Sequence, residues 1–127
     1  MSVTDVQQIV AEGFNHLHLN VRDLKRSIRF YEQAFGLKVD FAAGDDLIFM
    51  RPQGGGDSLA LHRVGPDHPA GQGGGVQHFG FKLNIDDHDR AIAQVERAGG
   101  ALVGRGKHDG KYPFAYVSDP DGYVIEL

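Results

Sequence analysis

Histidines are the residues of this chain with the clearest capacity for chemistry. The sequence has 127 residues, seven of them histidine, and no cysteine. The absence of cysteine excludes disulfides, thiolate metal sites and cysteine nucleophiles, and it leaves histidine as the one nitrogen or sulfur ligand for a transition metal. The seven are His16, His18, His62, His68, His78, His88 and His108.

Two of these histidines occupy equivalent positions of an internal repeat. When the segment 16–21 (HLHLNV) is laid over the segment 78–83 (HFGFKL), His16 falls on His78 and each apolar residue falls on an apolar one. The offset is about 62 residues, and each copy predicts one strand, one helix and three further strands. Because neither copy can bury a sheet face alone, we expect the two copies to pack around shared apolar surface.

The helices and strands that position these residues are predicted from hydrophobic periodicity and from residues that cap helices or form turns. Asp23 is a typical N-cap and Gly36 a typical end for the first helix, and Asp86 or Asp87 and Gly99 take these roles in the second. We predict a short helix over 4–11, strands over 14–21, 37–41, 47–51, 58–63, 76–83, 101–103, 114–118 and 123–127, loops over 65–75 and 104–111, and a turn over 119–122.

Side-chain alternation in the strands separates a polar face from an apolar one. In three of the strands, the apolar face must pack against a helix. The opposite, polar face of these strands carries His16, His78 or Glu126. If the sheet curls, these three side chains converge on a cavity, where a divalent cation would offset the cost of burying the carboxylate. Two histidines and one carboxylate suit iron, manganese, nickel or zinc and leave coordination positions open. The same residues are also compatible with surface histidines and a solvated glutamate.

Composition excludes several other classes of protein. The formal net charge is −4, and the single basic cluster lies on the predicted solvent-exposed face of the first helix. Both features argue against nucleic-acid binding. No apolar run reaches the length of a membrane helix, and the first residues lack a signal-peptide pattern. We therefore expect one cytoplasmic domain over 1–127, with no nucleic-acid or membrane partner.

The chain resembles the vicinal oxygen chelate superfamily, which includes glyoxalases, bleomycin-resistance proteins and extradiol dioxygenases. The likeness spans residues 14–127. It is carried by Asn15-His16, Val21-Arg22-Asp23-Leu24, Ser27-Ile28-Arg29-Phe30-Tyr31 and Phe35-Gly36-Leu37 in the first half, and by Gln77-His78-Phe79-Gly80-Phe81 and Asp119-Pro120-Asp121-Gly122-Tyr123-Val124-Ile125-Glu126 in the second.

This resemblance implies an α+β fold in which two βαβββ modules form a U-shaped, partly open mixed sheet around a central cavity. Module one would span 14–63, a linker 64–75 and module two 76–127. The resemblance also implies a homodimer and a divalent metal held by His16, His78 and Glu126.

Two departures from the family pattern argue against an ordinary glyoxalase I activity. The fourth ligand of glyoxalase I, a glutamate, falls here on Leu61, and Asn20 replaces an arginine common in glyoxalases. Tyr116 matches a tyrosine shared by dioxygenases and fosfomycin transferases, and His18 lies on the ligand face about 7 Å from His16. We take Tyr116 and His18 as candidate catalytic residues. Secondary candidates are Lys107, His108 and Tyr112.

These observations predict a metal-dependent enzyme that chelates two adjacent oxygens of a small substrate. Fe(II) or Mn is favoured and Zn or Ni is compatible with the ligands; the reaction is that of a dioxygenase, or of a lyase or isomerase. The alternatives are a metal-free binding protein of the bleomycin-resistance type and a thiol transferase of the fosfomycin type.

Overall fold

The computed structural model describes residues 10, 12–73 and 76–127. The helix expected over 4–11 lies, apart from Val10, outside these residues. The elements are β1 (His16–Val21), α1 (Leu24–Phe35), β2 (Lys38–Ala42), β3 (Leu47–Arg51), β4 (Ser58–Arg63), β5 (Phe79–Gly80), a 3₁₀ turn (Ile85–Asp87), α2 (His88–Arg97), β6 (Ala101–His108), β7 (Tyr112–Ser118) and β8 (Val124–Glu126). None of the helices in this described part is long and apolar enough to cross a bilayer.

Eight strands form two four-stranded mixed sheets with the same topology. The first has the order β1-β4-β3-β2 and the second the order β5-β8-β7-β6. In each sheet the first strand pairs in parallel with the last strand of its own repeat, and the other pairs are antiparallel. This identity of order confirms the α+β fold and the duplication expected from the repeat.

The two helices cover the apolar faces of the sheets. Helix α1 packs on β4, α2 packs on β6 and β7, and the helices contact each other. The largest side chains of the core come from both repeats and are fully buried, among them Phe30, Tyr31, Met50, Val95 and Ile125. Because strand side chains alternate, the residues opposite this core lie on two open faces that point away from the helices.

Helix α1 begins and ends where the sequence predicts. The Asp23 carboxylate accepts a hydrogen bond from the Arg26 N–H at 3.0 Å, and the helix ends at Gly36. At the start of α2, Asp87 occupies the predicted N-cap position but does not form the predicted capping bond. Asn84 instead accepts from the Asp86 N–H at 3.0 Å and begins the 3₁₀ turn that precedes α2.

Two strand predictions in the second half are also wrong in extent. Strand β5 covers two residues rather than 76–83, because its partner β8 has only three residues and the ladder stops at the bond from the Phe81 N–H to the Glu126 carbonyl. Strand β6 continues to His108, through the glycines predicted as a loop. Gly106 lies beneath the Phe114 ring, which is 3.0 Å from the position that a Cβ would take. Gly106 therefore makes room for an aromatic ring within the β6–β7 ladder.

The turn 119–122 of the second repeat is hydrogen-bonded to residues of the first repeat. Asp119 is 4% exposed and accepts from the Tyr31 hydroxyl at 2.7 Å and from the N–H groups of Asp121 and Tyr123. Burial raises the pKa of Asp119. Burial and the nearby Asp119 charge raise the pKa of Tyr31 well above its usual value, so its hydroxyl stays protonated as a donor.

A second carboxylate of this turn binds the start of α1. Asp121 accepts from the Arg22 N–H at 3.1 Å, from Arg26 Nη2 at 2.9 Å and from Ser27 Oγ at 3.2 Å. Its side chain is 2% exposed, whereas that of Arg26 is 38% exposed. The turn before β8 is thus fixed to the segment that follows β1.

Candidate metal centre

The second sheet brings one histidine and one carboxylate together on its open face. The distance from His78 Nε2 to Glu126 Oε1 is 3.2 Å, and both side chains are about 30% exposed. Gly80 lies opposite Glu126 across the parallel pair β5–β8. A Cβ at Gly80 would be 3.0 Å from the Glu126 carbonyl oxygen, so a side chain there would crowd the strand that carries the carboxylate.

Tyr116 completes this group. It lies opposite Glu126 in the antiparallel pair β7–β8 and hydrogen-bonds to its carboxylate. The Tyr116 ring meets the His78 ring edge-on, with centroids 5.2 Å apart. Partial burial and the adjacent Glu126 charge raise the pKa of Tyr116, so its hydroxyl stays protonated at neutral pH.

The open face of the first sheet carries three imidazoles. His16 packs edge-on against Phe49 at 5.6 Å, and His18 packs edge-on against His62 at 5.3 Å. Partial burial, followed by the electrostatic effects of His62 and His16, lowers the pKa of His18. His62 lies close to His18 because it follows Ala60, the strand partner of His18, by two residues.

The registers show which positions of the two sheets correspond. His18 pairs with Ala60 as Gly80 pairs with Glu126, and Phe49 pairs with Ala60 as Tyr116 pairs with Glu126. Ala60 is therefore the counterpart of Glu126.

This correspondence corrects the place assigned to the fourth ligand of glyoxalase I. Leu61 is fully buried in the core and cannot face the site. The residue that faces the site is Ala60, whose side chain has no ligand atom. Neither Leu61 nor Ala60 therefore supplies the carboxylate of the fourth ligand.

Within the described part of one chain, His16 does not join His78 and Glu126 in a single cluster. His16 lines a groove of about 650 Å³, and His78 and Glu126 line an adjoining depression of about 340 Å³ that shares Phe79, Gly80 and Phe81 with it. Among the described residues no three histidine, aspartate or glutamate side chains are close enough to hold one ion. The structure thus brings His78, Glu126 and Tyr116 together, and it places His16 and His18 on the other face.

The distance between His78 and Glu126 fits a shared divalent ion. Two ligand atoms that each lie about 2.1 Å from one ion are separated by about 3.0 Å in octahedral geometry and about 3.4 Å in tetrahedral geometry. Their separation of 3.2 Å lies between these two values.

The secondary candidates are less well placed. Lys107 is an exposed residue within β6, where it pairs with Pro113, rather than in a mobile loop. The side chains of His108 and Tyr112 lie outside the described part of the structure.

Comparison with known proteins identifies the family. Residues 13–127 match the family model of the Glyoxalase/Bleomycin resistance protein/Dioxygenase superfamily. The chain belongs to this superfamily. It is 32% identical to a lactoylglutathione lyase of Neisseria meningitidis over 120 residues, which cover 88% of this chain and 86% of that protein. It is 31% identical to the metallothiol transferase FosB of Bacillus licheniformis over 116 residues, which cover 91% of this chain and 73% of that protein.

Solved structures share the fold. A glyoxylase/bleomycin resistance protein/dioxygenase domain from Frankia has a TM-score of 0.75 at 24% identity, covering 92% of this chain and 96% of that one. A variant of the fosfomycin resistance protein FosX from Listeria monocytogenes, solved with Mn(II) and 1S,2S-dihydroxypropylphosphonic acid, has a TM-score of 0.74 at 18% identity, covering 93% of this chain and 90% of that one. The family assignment made from the sequence motifs is confirmed, and the relatives carry the names of lyases and thiol transferases.

Proposed function

We propose that this protein is a divalent-metal-dependent enzyme that binds two adjacent oxygens of a small substrate. The observation that carries the proposal is the 3.2 Å separation of His78 Nε2 and Glu126 Oε1 on an open face. His16 from a second copy of the chain completes the ligand set. Three protein ligands leave positions for the two substrate oxygens.

A homodimer provides the contact that one chain lacks. The first sheet offers His16 and the second offers His78 with Glu126, so a two-fold assembly that faces one sheet with the other builds two identical centres. The outer strands β2 and β6 also leave large apolar side chains exposed, including Phe41 at 49% and Val103 at 59%. Exposed apolar side chains on both outer strands favour a protein partner over solvent.

The residues around the ligands have defined tasks. A bound divalent ion acts as a Lewis acid toward the substrate oxygens. Glu126 is held by the Tyr116 hydroxyl, which can also donate to a substrate oxygen that gains negative charge. His18 lies on the same face as His16 and is placed to accept or return a substrate proton. Phe49, which packs against His16, stacks on Phe41 at 4.5 Å, and the two rings provide an apolar surface beside His16.

For the reaction itself we favour a lyase or a thiol transferase. The relatives at 31% and 32% identity carry these two names. A dioxygenase uses the same two histidines and carboxylate when the ion is Fe(II). Oxygen uptake with catechols after anaerobic loading with Fe(II) distinguishes the dioxygenase from the other two.

Metal content of the purified protein tests the proposal directly. We expect about one divalent ion per chain in the wild type and almost none in His78→Ala, because one of three ligands is lost. His68→Ala, which removes a histidine from an exposed loop, is the matched control and should keep the metal. A wild-type protein that binds neither Mn(II), Zn(II) nor Fe(II) would instead support a metal-free binding protein.

Mixing two inactive variants tests the dimer. In a homodimer of His16→Ala and in one of His78→Ala, every centre lacks a ligand. A mixed dimer has one centre with both histidines intact, so random exchange of subunits should restore roughly one centre in four. No recovery of metal binding after verified subunit exchange would mean that the ligands do not come from two chains.

A further inference from the structure

Each candidate ligand histidine is hydrogen-bonded through its Nδ1 atom to the side-chain amide of the residue before it. His16 Nδ1 is 2.8 Å from Asn15 Oδ1. His78 Nδ1 is 2.6 Å from Gln77 Oε1. The two pairs lie at equivalent positions of the repeat, one at the start of β1 and the other directly before β5, so the same contact occurs once beside each sheet.

This contact decides which ring nitrogen can bind a cation. A neutral imidazole has one N–H group, and an amide oxygen accepts only from a nitrogen that carries the proton. With the amide oxygens as acceptors, a neutral imidazole carries its proton on Nδ1 and has its free lone pair on Nε2. In His78 that Nε2 is the atom facing Glu126. The amide thus favours the tautomer in which Nε2 is the ring nitrogen available to a metal.

Each ring is held on a second side as well. The His16 ring meets Phe49 edge-on, with an interplanar angle of 74°, and the His78 ring meets Tyr116 at the same angle. An acceptor on one side and an aromatic ring on the other restrict rotation about the bond that joins the imidazole to the chain. Less orientational entropy is then lost when a cation binds.

We propose that Asn15 and Gln77 are positioning residues that hold His16 and His78 in the Nδ1–H tautomer with Nε2 directed toward the metal. The inference rests on the metal centre proposed above. The two amides differ in length by one methylene group and share only the acceptor oxygen, so we assign the role to that atom. As neutral acceptors they also add no further negative charge to a centre with one carboxylate.

The first test reads the tautomers in metal-free protein. Two-bond ¹H–¹⁵N NMR spectra, recorded where the imidazoles are neutral, should show Nδ1–H for both His16 and His78. In Asn15→Leu the tautomer of His16 should change while that of His78 stays, and Gln77→Met should do the converse. Asn20→Leu is the control on β1, since the Asn20 amide donates to the Pro69 carbonyl rather than contacting a ligand histidine.

The second test measures affinity for Mn(II) and Zn(II) by competition with a chelating dye. Loss of a group that orients a ligand histidine costs about 10- to 100-fold in affinity, so Asn15→Leu and Gln77→Met should each bind that much more weakly. Asn15→Asp and Gln77→Glu keep an acceptor oxygen and should bind at least as tightly as the wild type. Asn20→Leu should bind like the wild type.

These outcomes separate the inference from the proposed function. An Nε2–H tautomer at either histidine of the wild type, or unchanged affinity in both apolar variants, would overturn the inference while the metal centre stands. A wild-type protein without affinity for either ion would overturn the metal centre, and with it any role of the amides toward a metal. Both amides are exposed, so far-UV circular dichroism should show folded variants.

Discussion

The hydrogen bond from Tyr31 to Asp119 makes a prediction whose size follows from the structure. Tyr31→Phe removes the donor to Asp119 Oδ2 and keeps the packing of the ring. Asp119 Oδ1 retains the N–H groups of Asp121 and Tyr123, at 3.0 and 2.9 Å, but Oδ2 loses its partner in a residue that is 4% exposed. A hydrogen bond to a charged group contributes about 1.5–3 kcal/mol, so we expect a loss of about 2 kcal/mol at neutral pH.

The pH dependence of that loss has a definite sign. Burial raises the folded-state pKa of Asp119 above its unfolded value, and the Tyr31 hydroxyl partly counteracts this. In Tyr31→Phe the pKa of Asp119 therefore rises further. Such a group costs stability as pH rises through its folded pKa, and the cost is absent below the unfolded pKa. The difference between variant and wild type should thus be largest near neutral pH and shrink on acidification.

Urea unfolding followed by circular dichroism, from about pH 7 to about pH 4 at one protein concentration, measures this difference. Tyr123→Phe is the matched control, because its hydroxyl donates to the neutral Asn20 carbonyl at 2.8 Å. We expect it to lose about 1 kcal/mol at every pH. A loss below about 0.5 kcal/mol for Tyr31→Phe, or one that grows on acidification, would refute the argument.

Two pairs of glycine substitutions, each a close contact and its control, test close backbone contacts by the same assay. Gly71→Ala should destabilise by more than about 2 kcal/mol, because its Cβ would lie 2.3 Å from the Asp121 carbonyl, whereas Gly44→Ala, with a similar positive φ and open space, should cost only about 1 kcal/mol. Gly100→Ala should cost about 1–3 kcal/mol through contacts with Ser118, and Gly104→Ala, which meets nothing, should lose no stability. Equal losses within either pair would show that these contacts relax at little cost.

The sequence predicts the parts of the fold that depend on local signals. Strands β3 and β4 have the predicted bounds, and α1 has the predicted cap and end, since alternation, helical spacing and capping each act over a few residues. The extents of β5 and β6 depend instead on the length of β8 and on the Phe114 ring. Neither is visible in the sequence of β5 or β6 itself. Alternation therefore predicts too long a β5, and the glycines lead to too short a prediction for β6.

The candidate site also has a part that local sequence signals predict and a part that they do not. Alternation places His16, His78 and Glu126 on open faces, and the repeat singles out the two histidines. It does not place the faces relative to each other, because that depends on how the two helices pack. Asn15 and Gln77 were missed as contacts, although their equivalent positions before the two histidines are a signal that can be read from the sequence.

The acidic turn shows how the fold links the two halves of the proposed centre. Its sequence predicts a turn, and the structure shows that Asp121 also binds the Arg22 N–H directly after β1, the strand of His16. The same turn leads into β8, the strand of Glu126. A shift of this turn would therefore move the ligands on both sheets of one chain. In a two-fold dimer those ligands belong to different centres, so a defect in one turn should weaken both centres together.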